Sequence, residues 1–405
     1  MNSLIAILGL AFLVLLHEAG HFYTARLVGM TPRKFYVGFP PALVKTRRKG
    51  IEYGIGAVPL GGYVKIPGMH RPAPSDVDAH FGRAVQEAPQ LHGPCERLKR
   101  LLDEGDFESA AGVLADIGRA SAEAELSPGT RKAVERGLTE IGDGLGRDAY
   151  WRQRTWKRVL VIAAGPGTNL LFAIVCFTIL LAFGPGRGTT TVGAVEVDRP
   201  AAQAGLHPGD KVVAINGKPV DYVGMFEQIN GSDGKPVQVT VVREGRRVTL
   251  DPVRPFKDTD GRYRLGFRPR FEPVPPHVAV WDSLRLTGEI TKEIGGVLVR
   301  LVQGSGRDQI SSPIGIVRGS SSALSQGFET FFWVLGLISL SLALLNLLPL
   351  LPLDGGHIAF SIIEGIRGRS VGREVYERVS VVGIALVLTL FFIGLSNDLG
   401  GGAGG

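Results

Sequence analysis

The sequence predicts a polytopic α-helical membrane protein with four transmembrane helices, a membrane-associated β-sheet and a β-rich domain held outside the membrane. Three observations carry this. Four apolar runs stand out, at Leu4–Leu16, Val159–Phe183, Phe328–Leu348 and Val379–Leu395, and about 20 apolar residues suffice to span a bilayer. The Lys and Arg residues behind the net charge of +7 gather in the loops after the first run, before the second and between the last two. Two stretches, 31–70 and 188–255, alternate apolar and polar residues between Gly and Pro, the pattern of strands and turns. The basic excess therefore reports membrane topology. Nucleic acid is excluded as a partner, because no basic face is interleaved with aromatic residues.

Residues 1–30 form the first membrane helix. Met1-Asn2-Ser3 lacks the positive charge of a secretory signal, and no small-residue cleavage site follows the apolar run. The helix is expected to be retained. It carries His17-Glu18-Ala-Gly-His21. On a helix, His17 and His21 project from one face and can hold one Zn²⁺. Glu18 stands beside them, placed to take a proton from an attacking water. A charged group at bilayer depth costs about 2.5–3.5 kcal/mol, so these polar groups call for a partner there.

Residues 31–70 read as a small antiparallel sheet at the membrane surface, basic through Arg33, Lys34, Lys45, Arg47, Arg48 and Lys49. Its edge could accept an extended peptide. Residues 71–150 are a soluble helical insertion. Two helices break at Gly105, and another starts with Ser127 as cap and Pro128 in its first turn. The insertion is either a solvated spacer or a module with a cytoplasmic partner. Residues 151–187 hold the second membrane helix, anchored at the interface by Trp151, Trp156 and neighbouring Arg. Asn169 is a lone amide at membrane depth and is expected to face the site.

Residues 188–255 form the compact β-rich domain. Pro200-Ala-Ala-Gln-Ala-Gly-Leu-His-Pro-Gly209-Asp210 and Asn216-Gly217 are its landmarks, and they resemble a PDZ domain. Residues 256–327 read as an amphipathic connector, with a looped segment from Gly304 to Val317. Residues 328–405 hold the third and fourth membrane helices and a Gly-rich tail expected to be disordered. Basic loops face the cytoplasm. That puts both termini and the PDZ-like domain outside, extracytoplasmic. It also puts His21 and Asp354 at one depth, near the cytoplasmic side. Cys95 and Cys176 have no disulfide-like or metal-like neighbour and read as free thiols.

A catalytic zinc usually takes three protein ligands. Asp354, in Leu353-Asp-Gly-Gly-His357 at the expected end of the third membrane helix, is the carboxylate at the matching depth. Together with His17-Glu18-x-x-His21, Gly61-Gly62-Tyr63, Gly165-Pro166-x-x-Asn169, Pro313-Ile314 and Asn346-x-x-Pro349, it appears in an order that resembles the site-2 proteases, intramembrane zinc metalloproteases. The resemblance covers nearly the whole chain except the insertion. It is closest to the bacterial branch of regulated intramembrane proteolysis, in its single-PDZ form. It implies Glu18 as general base and His17, His21 and Asp354 as zinc ligands. It also implies that Asn346 and the Gly61-Gly62-Tyr63 edge hold the substrate, with Asn169 nearby. The implied substrates are single-pass membrane proteins such as membrane-anchored anti-sigma factors. The implied location is the inner (plasma) membrane, in contact with the lipid bilayer. The alternative is a catalytically silent membrane scaffold that binds peptides through its PDZ-like domain.

Overall fold

A computed structural model describes residues 1–258, 261–303, 310–369 and 371–400. Among the described residues, four helices are long and apolar enough to cross a membrane: Asn2–Leu27, Thr155–Phe183, Phe328–Asn346 and Val375–Leu399. They run to 26, 29, 19 and 25 residues, against the ~20 needed to span a hydrocarbon core. The chain divides into two compact units, Met1–Ala173 with Ile290–Gly405, and Ile174–Glu289.

The first unit opens with α1 (Asn2–Leu27), followed by strands β1 (Lys34–Arg48) and β2 (Ile51–Lys65). The strands turn at Lys49 and Gly50, both with positive φ (49° and 81°), as a tight hairpin turn requires. Both strands then bend. Residues 44–48 pair with 51–55, while 34–37 lie between 52–55 and 62–65. Among the described residues, segment 62–65 therefore has a paired neighbour on one side and forms an edge.

The insertion comprises α2 (Pro74–Glu87), α3 (His92–Glu104), α4 (Phe107–Glu123) and α5 (Pro128–Leu145). Each helix turns an apolar stripe inward, so Phe81, Leu91, Leu98, Leu102, Ile117 and Ile141 close one core. Gly105 ends α3 in the left-handed region (φ 80°), and the Asp106 side chain caps α4 by accepting from Ser109 N–H. Ser127 caps α5 by accepting from Thr130 N–H, with Pro128 in the first turn. Helix α2 precedes the three helices that the sequence predicts.

Helix α6 (Thr155–Phe183) packs on α1 where Gly20 leaves no room for a side chain beside the Ala164 carbonyl. Thr168 Oγ1 donates to Leu16 O at 3.1 Å and ties the same two helices. The remaining helices of this unit are α10 (Pro313–Gln326), α11 (Phe328–Asn346), α12 (Asp354–Arg367) and α13 (Arg373–Gly400), numbered after those of the second unit. Ala6 and Leu13 of α1 meet Phe331 and Leu335 of α11 in a buried cluster.

Two expectations change here. The segment expected to be looped up to Val317 is helical from Pro313, because Ser312 accepts from Ile314 and Gly315 N–H and Pro313 fits the first turn. Asp354 does not end the third membrane helix. That helix stops at Asn346, a turn follows, and Asp354 is the first residue of α12. Residues 304–309, expected to be looped, and the tail from 401 lie outside the described residues.

The second unit holds β3 (Arg187–Val195), α7 (Pro200–Gln203), β4 (Lys211–Ile215), β5 (Lys218–Pro219), α8 (Tyr222–Asn230), β6 (Val239–Arg243), β7 (Arg246–Thr249), β8 (Phe256–Lys257), β9 (Tyr263–Arg264) and β10 (Phe267–Glu272). The main sheet runs β10-β3-β4-β6-β7, with β5 on β4. Val192, Ile215, Met225, Ile229 and Val241 fill its core. The buried Asp210 carboxylate takes two bonds from Arg243, at 2.8 and 2.7 Å, and one from His207 N–H at 2.8 Å. Those Arg243 bonds, against the penalty of burial, hold its pKa below the usual carboxylate value.

The expected end at 255 is corrected. β10 pairs antiparallel with β3 through Phe267↔Val195 and Glu272↔Arg187, so the sheet takes in residues first read as connector. The amphipathic part of that connector is α9 (Pro276–Val302).

Candidate active site and metal centre

Helical periodicity puts His17 and His21 on one face of α1, and the start of α12 brings Asp354 to them. His17 Nε2 lies 3.1 Å from Asp354 Oδ2, His21 Nε2 lies 3.3 Å from it, and the two imidazole nitrogens are 3.3 Å apart. The histidines are 8% and 7% exposed. Among the described residues, the buried Asp354 Oδ2 has no hydrogen-bond partner, although both nitrogens are close. Three donor atoms thus converge, and the carboxylate oxygen among them is left unsatisfied.

That triangle is the shape a cation needs. A tetrahedral ion with N and O ligands about 2.0–2.1 Å away sets those ligands roughly 3.3–3.4 Å apart. A buried carboxylate oxygen with no donor is costly, and a cation removes that cost. The donor set therefore fits zinc.

The outer contacts agree. His21 Nδ1 lies 2.8 Å from the Val161 carbonyl. It can only donate there, which leaves Nε2 with its lone pair toward Asp354. Gly165 leaves no room for a side chain beside the same ring. His17 Nδ1 lies 3.4 Å from the Asn169 amide nitrogen, and Asn169 Oδ1 is buried without a partner. Exchanging the two amide atoms resolves both. Oδ1 then accepts from His17 Nδ1–H, and His17 Nε2 also presents a lone pair. Ser339 Oγ donates to Asn169 O at 2.8 Å and steadies that turn of α6.

Glu18 is half-buried beside these groups. The edge strand reaches it directly. A side chain at Gly62 would meet Glu18 Cγ, Tyr36 O and Val14. Tyr63, next on that edge, stacks on Tyr36 with ring centroids 5.2 Å apart. Gly61 and Gly62 are half-buried.

The substrate-side expectations fare differently. Gly62 and Tyr63 lie on the edge that abuts Glu18. Asn169 is fully buried, and its side chain lies against the His17 ring. Asn346 closes α11, half-buried, ahead of the turn that leads to Asp354. Sequence reasoning missed the Val161 carbonyl and Ser339. A backbone carbonyl carries no residue signal, and one Ser in an apolar helix carries little.

Apolar spanning helices around a two-histidine, one-carboxylate donor set with an adjacent glutamate define a membrane-embedded metallohydrolase. The chain belongs to peptidase family M50, whose family model matches residues 5–390, and it is a zinc metalloendopeptidase of the site-2 type. A Brucella suis relative is 30% identical over 410 residues, covering 96% of this chain and 93% of its own. The zinc metalloprotease RasP of Geobacillus kaustophilus is 28% identical over 410 residues, covering 96% and 95%. The metalloprotease MmpA of Caulobacter vibrioides is 27% identical over 422 residues, covering 96% and 93%.

Proposed function

We propose that this protein hydrolyses peptide bonds in or near the transmembrane segments of membrane-anchored proteins, anti-sigma factors among them. The observation that carries the reading is the donor triangle with Glu18 beside it and a strand edge against Glu18. His17, His21 and Asp354 would hold the zinc. When bound, zinc lowers the pKa of water and polarises the scissile carbonyl. Glu18 takes the proton from the attacking water and returns it to the leaving amine. A transmembrane substrate hides its peptide bonds inside its own helix, so it must be unwound before attack. The Gly61-Gly62-Tyr63 edge offers hydrogen-bonding groups to the unwound stretch, and Asn346 helps hold its backbone. Burial of both histidines keeps bulk water from the donor set.

The basic loops support an inner-membrane orientation with the metal centre near the cytoplasmic side and the PDZ-like domain outside. In that position the PDZ-like domain acts as a size filter. The scaffold reading is weaker, because the donor set and its neighbouring acid are intact. Incubating purified protein with a single-pass test substrate decides between the two. Cleavage by wild type and none by Glu18→Gln is expected; equal cleavage by both would remove Glu18 as the base.

A further inference from the structure

We infer that the cleft between the edge strand and the helical insertion receives the extended substrate chain beyond the metal centre, and that the insertion selects for basic side chains there. This rests on the proteolytic reading above.

The cleft has a volume of about 400 Å³, within the range of sites that enclose a ligand. Tyr63, Val64 and Lys65 line one wall, and His80, Glu140 and Asp143 of the insertion line the other. It begins one residue past Gly62, which touches Glu18. A chain added along this edge therefore passes the base and runs on between strand and insertion. The edge supplies main-chain pairing, and alternate side chains turn toward the insertion wall.

The wall is fixed to the strand rather than loosely beside it. Asp143, at the end of α5, takes Arg33 Nε at 2.8 Å and Lys65 Nζ at 3.1 Å. Asp148 takes Arg33 again at 3.0 Å. These pairs hold both ends of the β-region against the insertion, which gives the cleft a set width.

The charges that face the cleft argue for the ligand. Lys65 is engaged by Asp143, and the Arg71 guanidinium sits over the Phe107 ring at 5.0 Å. Glu140 is different. Its side chain is 51% exposed, with His80 Nε2 at 3.2 Å. Asp76 stands on the same wall, accepting from Ala73 N–H at 2.8 Å. A carboxylate open to solvent, beside cations already engaged, favours an incoming Lys or Arg. Single-pass membrane proteins carry that excess on the cytoplasmic flank of the helix, the side proposed for this cleft.

The test uses the full chain in detergent and three single-pass substrates that differ only in a short cytoplasmic flank of Lys, Gln or Glu. Wild type should cut the Lys flank fastest and the Glu flank slowest, roughly fivefold apart as an exposed ion pair allows. Glu140→Lys should flatten or invert the Lys-to-Glu ratio, a readout that general misfolding would not move. Equal rates on all three by wild type, or an unchanged ratio in Glu140→Lys, overturns the inference while cleavage itself stands. A chain that cuts none of them overturns the proteolytic reading, and this one with it. As a second measurement, Glu140→Cys in the Glu18→Gln background should form a disulfide with a cysteine in the Lys flank. Cys95 and Cys176 are buried and should not compete. No cross-link to the flank overturns the placement.

Discussion

Gly62 lies against Glu18 with no room for a side chain between them. The proposed base and the proposed substrate edge are in contact, so moving one moves the other. Gly62→Ala must push the strand off the helix or turn Glu18 aside. Cleavage should fall at least about tenfold, since small misplacements at a reacting centre cost that much or more. Zinc content should not change, because none of the three donor atoms touches this position. A Gly62→Ala enzyme of near wild-type rate would show that the edge does not act with the base.

Zinc retention separates ligand from base. Asp354→Asn keeps the shape but offers a neutral, weaker donor. It should lose most bound zinc, lose activity and melt earlier in detergent, because a zinc held by the proposed ligands would join α1 to α12. Glu18→Gln should lose activity alone. Mass spectrometry of metal content and melting curves of both variants give the comparison. Full zinc occupancy in Asp354→Asn would take Asp354 out of the ligand set.

How far the site was legible follows from where its signals lie. The pair His17 and His21 is local: one helical turn fixes both, and the sequence shows it. Asp354 was reachable by residue type and depth. Its place at the start of α12 was hidden, because Asn346 to Leu353 is apolar enough to read as continuous helix. Strand β10 was missed because Arg268, Pro269, Arg270 and Glu272 obscure the alternation that its pairing with β3 satisfies. Helix α10 carried its start signal in Ser312-Pro313, and the Gly and Ser residues around it outweighed that signal. Asn169 stands out in the sequence as a lone amide at membrane depth, but its neighbour is a ring nitrogen of His17, and only three-dimensional contact reveals that.

That contact yields a prediction about affinity. Asn169→Leu removes the acceptor that fixes the His17 tautomer. Zinc affinity should fall by roughly 10–100-fold, as for other residues that orient a ligand from outside. Competition with a chelator measures it without any substrate. Asn169→Asp keeps an acceptor and should bind zinc more tightly than the Leu variant. Wild-type affinity in Asn169→Leu would leave the amide with a packing role.

The β-rich unit should respond to acid through Asp210. Its bonds from Arg243 lower its pKa in the folded state. Its contribution to stability is thus complete above the unfolded carboxylate value of about 3.9, and is lost as pH falls through the lower folded value. Asp210→Asn should destabilise the unit at neutral pH by about 2–3 kcal/mol, the scale of a charged hydrogen bond left unmade. The gap between variant and wild type should then narrow below pH of about 4. Thermal melts across that range check the sign; a gap that widens with acid would contradict it.

The size-filter reading can be tested cleanly because the second unit is entered and left at one place. Val274 N–H donates to Leu181 O at 3.0 Å, so the end of α6 and the segment before α9 are adjacent. The deletion must cover the whole sheet. Removing only residues up to 254 would leave β10 without β3, an unpaired strand prone to associate. Removing 187–272 and joining the ends with a short flexible linker avoids that. If the unit keeps bulky substrates from the metal centre, the shortened enzyme should cleave a substrate with its outer domain intact, and wild type should reject it. Both enzymes should cleave the trimmed form. That control reports that the metal centre survives the deletion. Rejection of the untrimmed substrate by both, with the trimmed one still cleaved, would mean that the barrier lies within the membrane helices instead.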